Sequence, residues 1–334
     1  MLPYHTKILF IGLGSIGKRH LTNAIALGYN NIVAVSSKAV ALSREYPGIV
    51  FYTDFEQALS EHQFSAAIIC TPTAQHNHYL RRTVVSHIAH IYLEKPVSHN
   101  FEQIPELLAL VAGSSSRVVV GYDLHFDPGL QKVKELIAGN AIGRVLSVNA
   151  QVGQYLPDWR PHEDYRQGMS AKKATGGGVM LDLVHEFDYV YWLLGPVLTI
   201  ASFSGQLSDL EIETEDVAEV LLRFESGAIG TIHLDYLQQQ LIRNCLVTGC
   251  NGSILWNLVE SQVLVINERK ESQQFNYSGF QRNDRFVEIL KAFLSAEPDY
   301  RLCSFESGVE SLKMVLAAKE SNDKNTIINL RDFI

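Results

Sequence analysis

Lys7 to Ile11 is a short apolar segment that runs straight into Gly12-Leu13-Gly14-Ser15-Ile16-Gly17. No other stretch restricts the possible folds as much. A helix is expected to follow through His20, Leu21 and Ala26, stopping before Gly28, and a second strand at Asn31 to Val35. In a strand, glycine turn, helix, strand unit each glycine has a task. Gly12 makes the tight turn, Gly14 lets a pyrophosphate approach the backbone, and Gly17 lets the helix pack on the strand. The helix N-terminus around Ser15, Ile16 and Gly17 then offers N–H groups to the phosphates. The motif alone is common by chance; its position between a strand and a helix makes it a reading of dinucleotide binding.

The end of the second strand bears on which dinucleotide. A ribose-gripping carboxylate is expected after Val35, but the chain reads Ser36-Ser37-Lys38. Two hydroxyls and a lysine accept a 2'-phosphate that a carboxylate would repel, so the cofactor expectation is NADP or NAD, leaning to NADP. The alternation then continues. Asp54 to Gln57 has capping-box spacing for a helix to Glu61, Ala66 to Cys70 is a buried strand, and a helix starts near Gln75. Ile88 to Leu93, a helix over Ile104 to Ala112, and Val118 to Gly121 complete the pattern. Repeated strand–helix pairs specify a doubly wound parallel sheet, with ligands beyond the strand C-termini. Thr71-Pro72 to His76, and Glu94-Lys95-Pro96, both fall on that edge. Lys95 is therefore a candidate cation in the cleft.

A second informative stretch is GGGVMLDLVHEFDYVYWLLG, Gly176 to Gly195. Met180 to Leu194 reads as one largely apolar helix with Asp182, His185 and Glu186 on one side. Ionisable groups in such a helix are costly unless paired or used. Taken alone, a capping aspartate and a hydrogen-bonded core histidine explain the segment as well as chemistry does.

The three elements together resemble the Gfo/Idh/MocA family of nicotinamide-dependent oxidoreductases, in order and separation as well as in residues. The resemblance implies an N-terminal Rossmann domain, a doubly wound parallel sheet, and a C-terminal α+β domain built on an open, mostly antiparallel sheet. It implies that Lys95 is the active-site lysine, with a cis Lys95–Pro96 bond. Asp182 and His185 are its acidic partner and histidine, and the Thr71 to His76 loop, with Glu94 and Pro96, borders the cofactor. The family's usual histidine lies four residues beyond the aspartate, whereas here the step is three, followed by Glu186. On a continuous helix one residue is a rotation of about 100°, so Glu186 is carried as a weaker acid–base candidate. Two other classes stay open: a non-catalytic sensor of nucleotide or sugar, and a hydrolase or lyase that recycles its nicotinamide.

The expected boundaries are 1–122 for the dinucleotide-binding domain and 123–325 for the substrate and oligomerisation domain, with Thr326 to Ile334 returning to the first. Tyr122 and His125, in YDLHFDP, precede a helix over Gly129 to Ala138. His125 stands where the family commonly has arginine or asparagine, making it a candidate substrate contact along with Tyr122. The loop from Gln154 to Lys173 supplies Trp159, Arg160, Tyr165 and Arg166, aromatic faces and cations suited to a sugar or an acidic or nucleotide-linked derivative. From Thr199 onward strands dominate: Thr199 to Gly205, Val217 to Phe224, Ala228 to Tyr236, Leu241 to Thr248, Ser253 to Asn257 and Gln262 to Asn267. Helices follow at Asp284 to Leu294 and Phe305 to Lys319. One face of that sheet is a candidate surface for a homo-oligomer, a dimer or tetramer.

A chain of 334 residues accommodates two cored domains, and a net charge of -8 argues against a nucleic-acid partner. No apolar run approaches the roughly 20 residues that span a bilayer. With no signal-peptide pattern and four scattered cysteines, a cytoplasmic location is expected, with no metal constellation.

Overall fold

The structure is a computed structural model in which residues 2–295 and 297–333 are described. It divides into two units, Met1–Asp123 with Arg282–Val309, and Leu124–Gln281 with Glu310–Ile334.

The first unit alternates strand and helix: β1 (Ile8–Ile11), α1 (Ser15–Ala26), β2 (Ile32–Val35), α2 (Ala39–Glu45), β3 (Val50–Tyr52) and α3 (Phe55–Glu61). It continues with β4 (Ala66–Ile69), α4 (His76–Val85), β5 (His90–Leu93), α5 (Ile104–Ala112) and β6 (Arg117–Val120). These strands pair in parallel in the order β6-β5-β4-β1-β2-β3. β1, β2 and β4 are buried at every residue, which is why they read as unbroken apolar runs. The Asp54 side chain accepts from the Gln57 backbone N–H at 2.9 Å, so half of the expected capping box starts α3. β3 and α2 are additions to the sequence reading. β3 is an edge strand of mixed burial, without an apolar run to announce it.

The second unit begins with α6 (Pro128–Ala138) and β7 (Val145–Gly153). Asp127 caps α6, accepting from the N–H groups of Gly129 and Leu130. After the long loop come α7 (Val179–Asp182), α8 (His185–Leu194), β8 (Val197–Gly205), β9 (Val217–Phe224), β10 (Ile229–Asp235) and β11 (Ile242–Gly249). The remaining elements are β12 (Gly252–Asn257), β13 (Gln262–Asn267), β14 (Ser272–Asn276), α9 (Arg282–Phe293), β15 (Cys303–Ser304), α10 (Phe305–Lys324) and β16 (Ile328–Asn329). The second sheet has the order β14-β13-β12-β11-β7-β10-β9-β8-β16. Every pairing in it is antiparallel except β7 with β10. β9 alternates strictly, burying Ala218, Val220, Leu222 and Phe224 and exposing Glu219, Leu221 and Arg223. One face of the sheet is thus a core face, covered by α7 and α8 among others.

Two expectations need correction. The tail does not return to the first unit: Ile328 and Asn329 pair with Ile200 and Thr199 at the edge of the second sheet. The last residue of the predicted returning segment, Ile334, lies outside the described residues. What does return to the first unit is Arg282–Val309, where α9 packs on α1 and β15 adds antiparallel to β6. A two-residue strand carries no period that a sequence pattern could detect. The second correction concerns Met180 to Leu194, which is two helices. Leu183 at φ -100°, ψ 32° ends α7, and Val184 leads into α8.

Candidate active site

In the first unit the glycine turn has the form its sequence demands. Gly12 sits at φ +86°, and a Cβ there would lie 2.7 Å from the Cys70 carbonyl oxygen. A Cβ on Gly17 would lie 2.1 Å from the Gly12 carbonyl oxygen, so α1 packs on the turn with no room for a side chain. At Gly14, by contrast, a Cβ would meet nothing within 4 Å. No side chain caps the start of α1. Open space over Gly14 beside an uncapped twelve-residue helix fits the pyrophosphate of a dinucleotide. Past β2, Ser36 Oγ accepts from the Lys38 N–H at 3.2 Å, and Ser37 and Lys38 are exposed.

Two loops at the strand ends are tied together by His76. Its Nδ1 lies 2.8 Å from the Pro96 carbonyl oxygen and its Nε2 3.0 Å from that of Thr71. Burial pushes the His76 pKa down, while the two carbonyls pull the other way. Pro72 and Thr71 open the short turn that starts α4, and the Lys95–Pro96 peptide is cis, as the resemblance implies. Glu94 is only 7 % exposed and sits in a nest of donors. Its Oε1 is 2.8 Å from His20 Nε2 and accepts from the Tyr92 hydroxyl at 3.3 Å, while Oε2 accepts from the Lys95 N–H at 3.2 Å. The buried Tyr92 hydroxyl has its pKa raised well above the usual value, first by burial and then by the Glu94 charge, so it remains a donor.

His20, Cys70 and Glu94 are the group among the described residues with metal-ligand spacing. A metal would have to take over donors already in use. The Glu94 oxygens are hydrogen-bonded, and burial pushes the Cys70 thiol well up, away from the thiolate that a metal binds. The trio is better described as the underside of the Lys95 turn.

In the second unit, Asp182 and His185 lie on either side of the break between α7 and α8. The three-residue step is therefore not a rotation along one helix. Asp182 ends a short helix, and His185, 7 % exposed, is the first residue of the next. Asp182 Oδ2 accepts from the Tyr236 hydroxyl at 2.6 Å. Burial, followed by the Asp182 charge, raises the Tyr236 pKa well above the usual phenol value. Trp159 packs edge-on against Tyr236, with ring centroids 5.3 Å apart, which brings the long loop to the neighbourhood of Asp182. The loop is not structureless but a series of short 3₁₀ turns. Trp159, Arg160 and Tyr165 border one small pocket with Glu163 and Asp164. Arg166 turns instead to Asp164 and Glu211, at 2.8 and 2.7 Å, and these two carboxylates hold its pKa up.

Three further candidates are buried. Glu186 is fully buried and engages Arg243 of β11 through both oxygens, at 2.8 and 3.1 Å. The carboxylate is thus held in a two-point ion pair across the second unit. His125, 2 % exposed, pairs with Asp188 at 2.8 Å and stacks on Trp192 with centroids 4.3 Å apart. Asp188 on α8 is buried as well, and a buried carboxylate is costly without a partner. Tyr122 is 0 % exposed. His20, Tyr92 and Tyr236 were not singled out in the sequence. His20 and Tyr236 meet their partners 74 and 54 positions away, and Tyr92 is itself part of an apolar strand, so no spacing flags them.

A doubly wound parallel sheet with an open glycine turn before an uncapped helix is the fold of a nicotinamide-dependent oxidoreductase. Residues 6–122 match the oxidoreductase family with an NAD-binding Rossmann fold, and residues 130–255 match the GFO/IDH/MocA C-terminal domain. The chain belongs to the Gfo/Idh/MocA family. It is 26 % identical to the myo-inositol 2-dehydrogenase of Thermotoga maritima, over 98 % of this chain and 99 % of that protein. It is 29 % identical to the uncharacterized oxidoreductase YrbE of Bacillus subtilis, over 66 % of this chain and 64 % of that protein. Among solved structures, levoglucosan dehydrogenase in complex with NADH superposes with a TM-score of 0.86 at 18 % identity. That likeness of fold covers 97 % of this chain and 99 % of that one. Among the described residues no helix is long and apolar enough to cross a membrane.

Proposed function

We propose that this protein is a dehydrogenase or reductase of a hydroxyl-rich ring compound, a cyclic polyol or a sugar, using NADP or NAD. The observation that carries the reading is the Asp182–Tyr236 hydrogen bond beside His185 at the helix break, with Trp159 packed on Tyr236. The myo-inositol 2-dehydrogenase that matches nearly end to end supports the substrate class. When bound, the nicotinamide supplies the hydride chemistry. His185 takes the hydroxyl proton during oxidation and returns it during reduction, the work an imidazole does near neutral pH. Asp182 orients His185, and Tyr236 in turn fixes Asp182. Lys95 stabilises negative charge on the reacting oxygen. Trp159, Arg160 and Tyr165 contribute an aromatic and cationic wall for the ring. Glu186 has no part in proton transfer in this reading.

Ser36, Ser37 and Lys38 favour a 2'-phosphate, and NADP remains the preferred cofactor on that ground. We also assign the open sheet face to association of like chains. Phe203, Leu221 and Ile229 are 73, 56 and 56 % exposed there, on three adjacent strands. The test is a titration with NAD(H) and NADP(H), followed by a screen of inositols, aldoses, uronic acids and nucleotide sugars for a change in nicotinamide absorbance. Tight cofactor binding with turnover of a polyol or sugar supports the reading. Cofactor binding with no turnover across the screen favours a sensor, and product without net nicotinamide change favours a recycling hydrolase or lyase.

A further inference from the structure

We propose that His20 is a positioning residue for Lys95, acting through Glu94. This rests on the proposed role of Lys95 and goes beyond it, because it names what holds the lysine's peptide in place. Glu94 directly follows β5, in a setting where an unpaired carboxylate would be costly. A carboxylate only accepts hydrogen bonds, so the His20 nitrogen 2.8 Å from Oε1 carries a proton. With Tyr92 also on Oε1, the second oxygen is turned back onto the N–H of Lys95. The carboxylate thereby fixes the Glu94–Lys95 peptide, the point from which the lysine stem departs. His20 is itself immobilised: it is 0 % exposed and lies edge-on to Tyr92 and Phe286, with centroids 5.0 and 5.9 Å away.

The location of His20 gives this bond a second meaning. His20 lies on α1, the helix whose uncapped N-terminus follows the glycine turn and would receive the pyrophosphate. One hydrogen bond therefore ties the cofactor helix to the turn that carries the lysine. Without it, Oε1 keeps only the longer Tyr92 bond, and the charged side chain is left short of donors in a buried place. Rotating the carboxylate toward water relieves that shortage and releases the Lys95 N–H. Glutamine preserves the arrangement, since its amide nitrogen reaches about as far as Nε2 of histidine. Asparagine is one methylene shorter and falls short of Oε1.

The experiment compares His20→Leu, His20→Gln and His20→Asn in the full chain. Lysines are reductively methylated with ¹³C, and the Lys95 resonance is assigned by its loss in Lys95→Arg. NADH affinity is read by fluorescence, and kcat and KM with the best compound of the polyol and sugar screen. The expected result for His20→Leu is a shifted or broadened Lys95 resonance and a kcat reduced about tenfold or more, the scale of one charge-assisted hydrogen bond. KM and NADH affinity should change little. His20→Gln should restore both signal and kcat, and His20→Asn neither. A folded His20→Leu with an unchanged Lys95 resonance overturns the proposal. If that variant does not fold, the Gln and Asn variants decide, and equal behaviour of the two overturns it. Full turnover in Lys95→Met would instead sink the role of the lysine, while the resonance would still report whether His20 positions it.

Discussion

Arg243 on β11 grips both carboxylate oxygens of Glu186, Nε to Oε1 at 2.8 Å and Nη2 to Oε2 at 3.1 Å, where the glutamate is wholly buried. Removing one partner of such a pair strands the other charge, typically at a cost of about 3–5 kcal/mol. Arg243→Leu is therefore expected to lose that much stability in urea unfolding. Glu186→Gln keeps an acceptor for Arg243 and should retain most of its turnover. A collapse of kcat in a folded Glu186→Gln protein would return Glu186 to the proton-transfer machinery.

Tyr236 gives a sharper test of the acid–base reading. Tyr236→Phe deletes the hydroxyl that donates to Asp182 Oδ2. Hydrogen bonds to charged groups are worth about 1.5–3 kcal/mol, so a fall in kcat of roughly tenfold or more is expected. Steady-state kinetics with unchanged kcat would show that Asp182 does not need that orientation.

Lys95→Ala should lower turnover about 10²–10³-fold, as for removal of a group that stabilises a developing oxyanion. NADH affinity, measured by fluorescence, should fall only modestly.

The glycine turn predicts two different failures. Gly14→Ala places a methyl in open space at φ -73°, so the protein should melt normally yet bind the dinucleotide about tenfold more weakly. Gly17→Ala pushes a methyl into the Gly12 carbonyl and should destabilise the domain by about 1–3 kcal/mol even without cofactor. Equal melting temperatures for the two variants would contradict this division.

On the open face of the second sheet, His233 lies 2.8 Å from Asp235 and 2.5 Å from Glu219. Its pKa is raised to about 9, first by the Asp235 bond and then, against burial, by Glu219. A folded pKa above the unfolded value stabilises the protein fully below about pH 6.5. That contribution is lost as pH rises through about 9. His233→Gln should flatten the stability profile across this window in chemical denaturation. An identical slope would rule out the His233 contribution.

What the sequence by itself determined is what short-range pattern can encode. Gly12, Gly14 and Gly17 could be read because a strand, a turn and a helix follow one another without a gap. β9 could be read because its alternation separates a buried from an exposed face. Lys95, Asp182 and His185 stood out because polar groups punctuate apolar runs. The tertiary structure decided the rest. It broke the Met180 to Leu194 helix at Leu183, turning a three-residue step that looked anomalous into two residues on different helices. It gave Glu186 to Arg243, His125 to Asp188 and Glu94 to His20, partners 57, 63 and 74 positions away. A charge buried on folding takes whichever donor the packed elements bring to it. That pairing depends on sheet order and helix position, which no local pattern of residues contains.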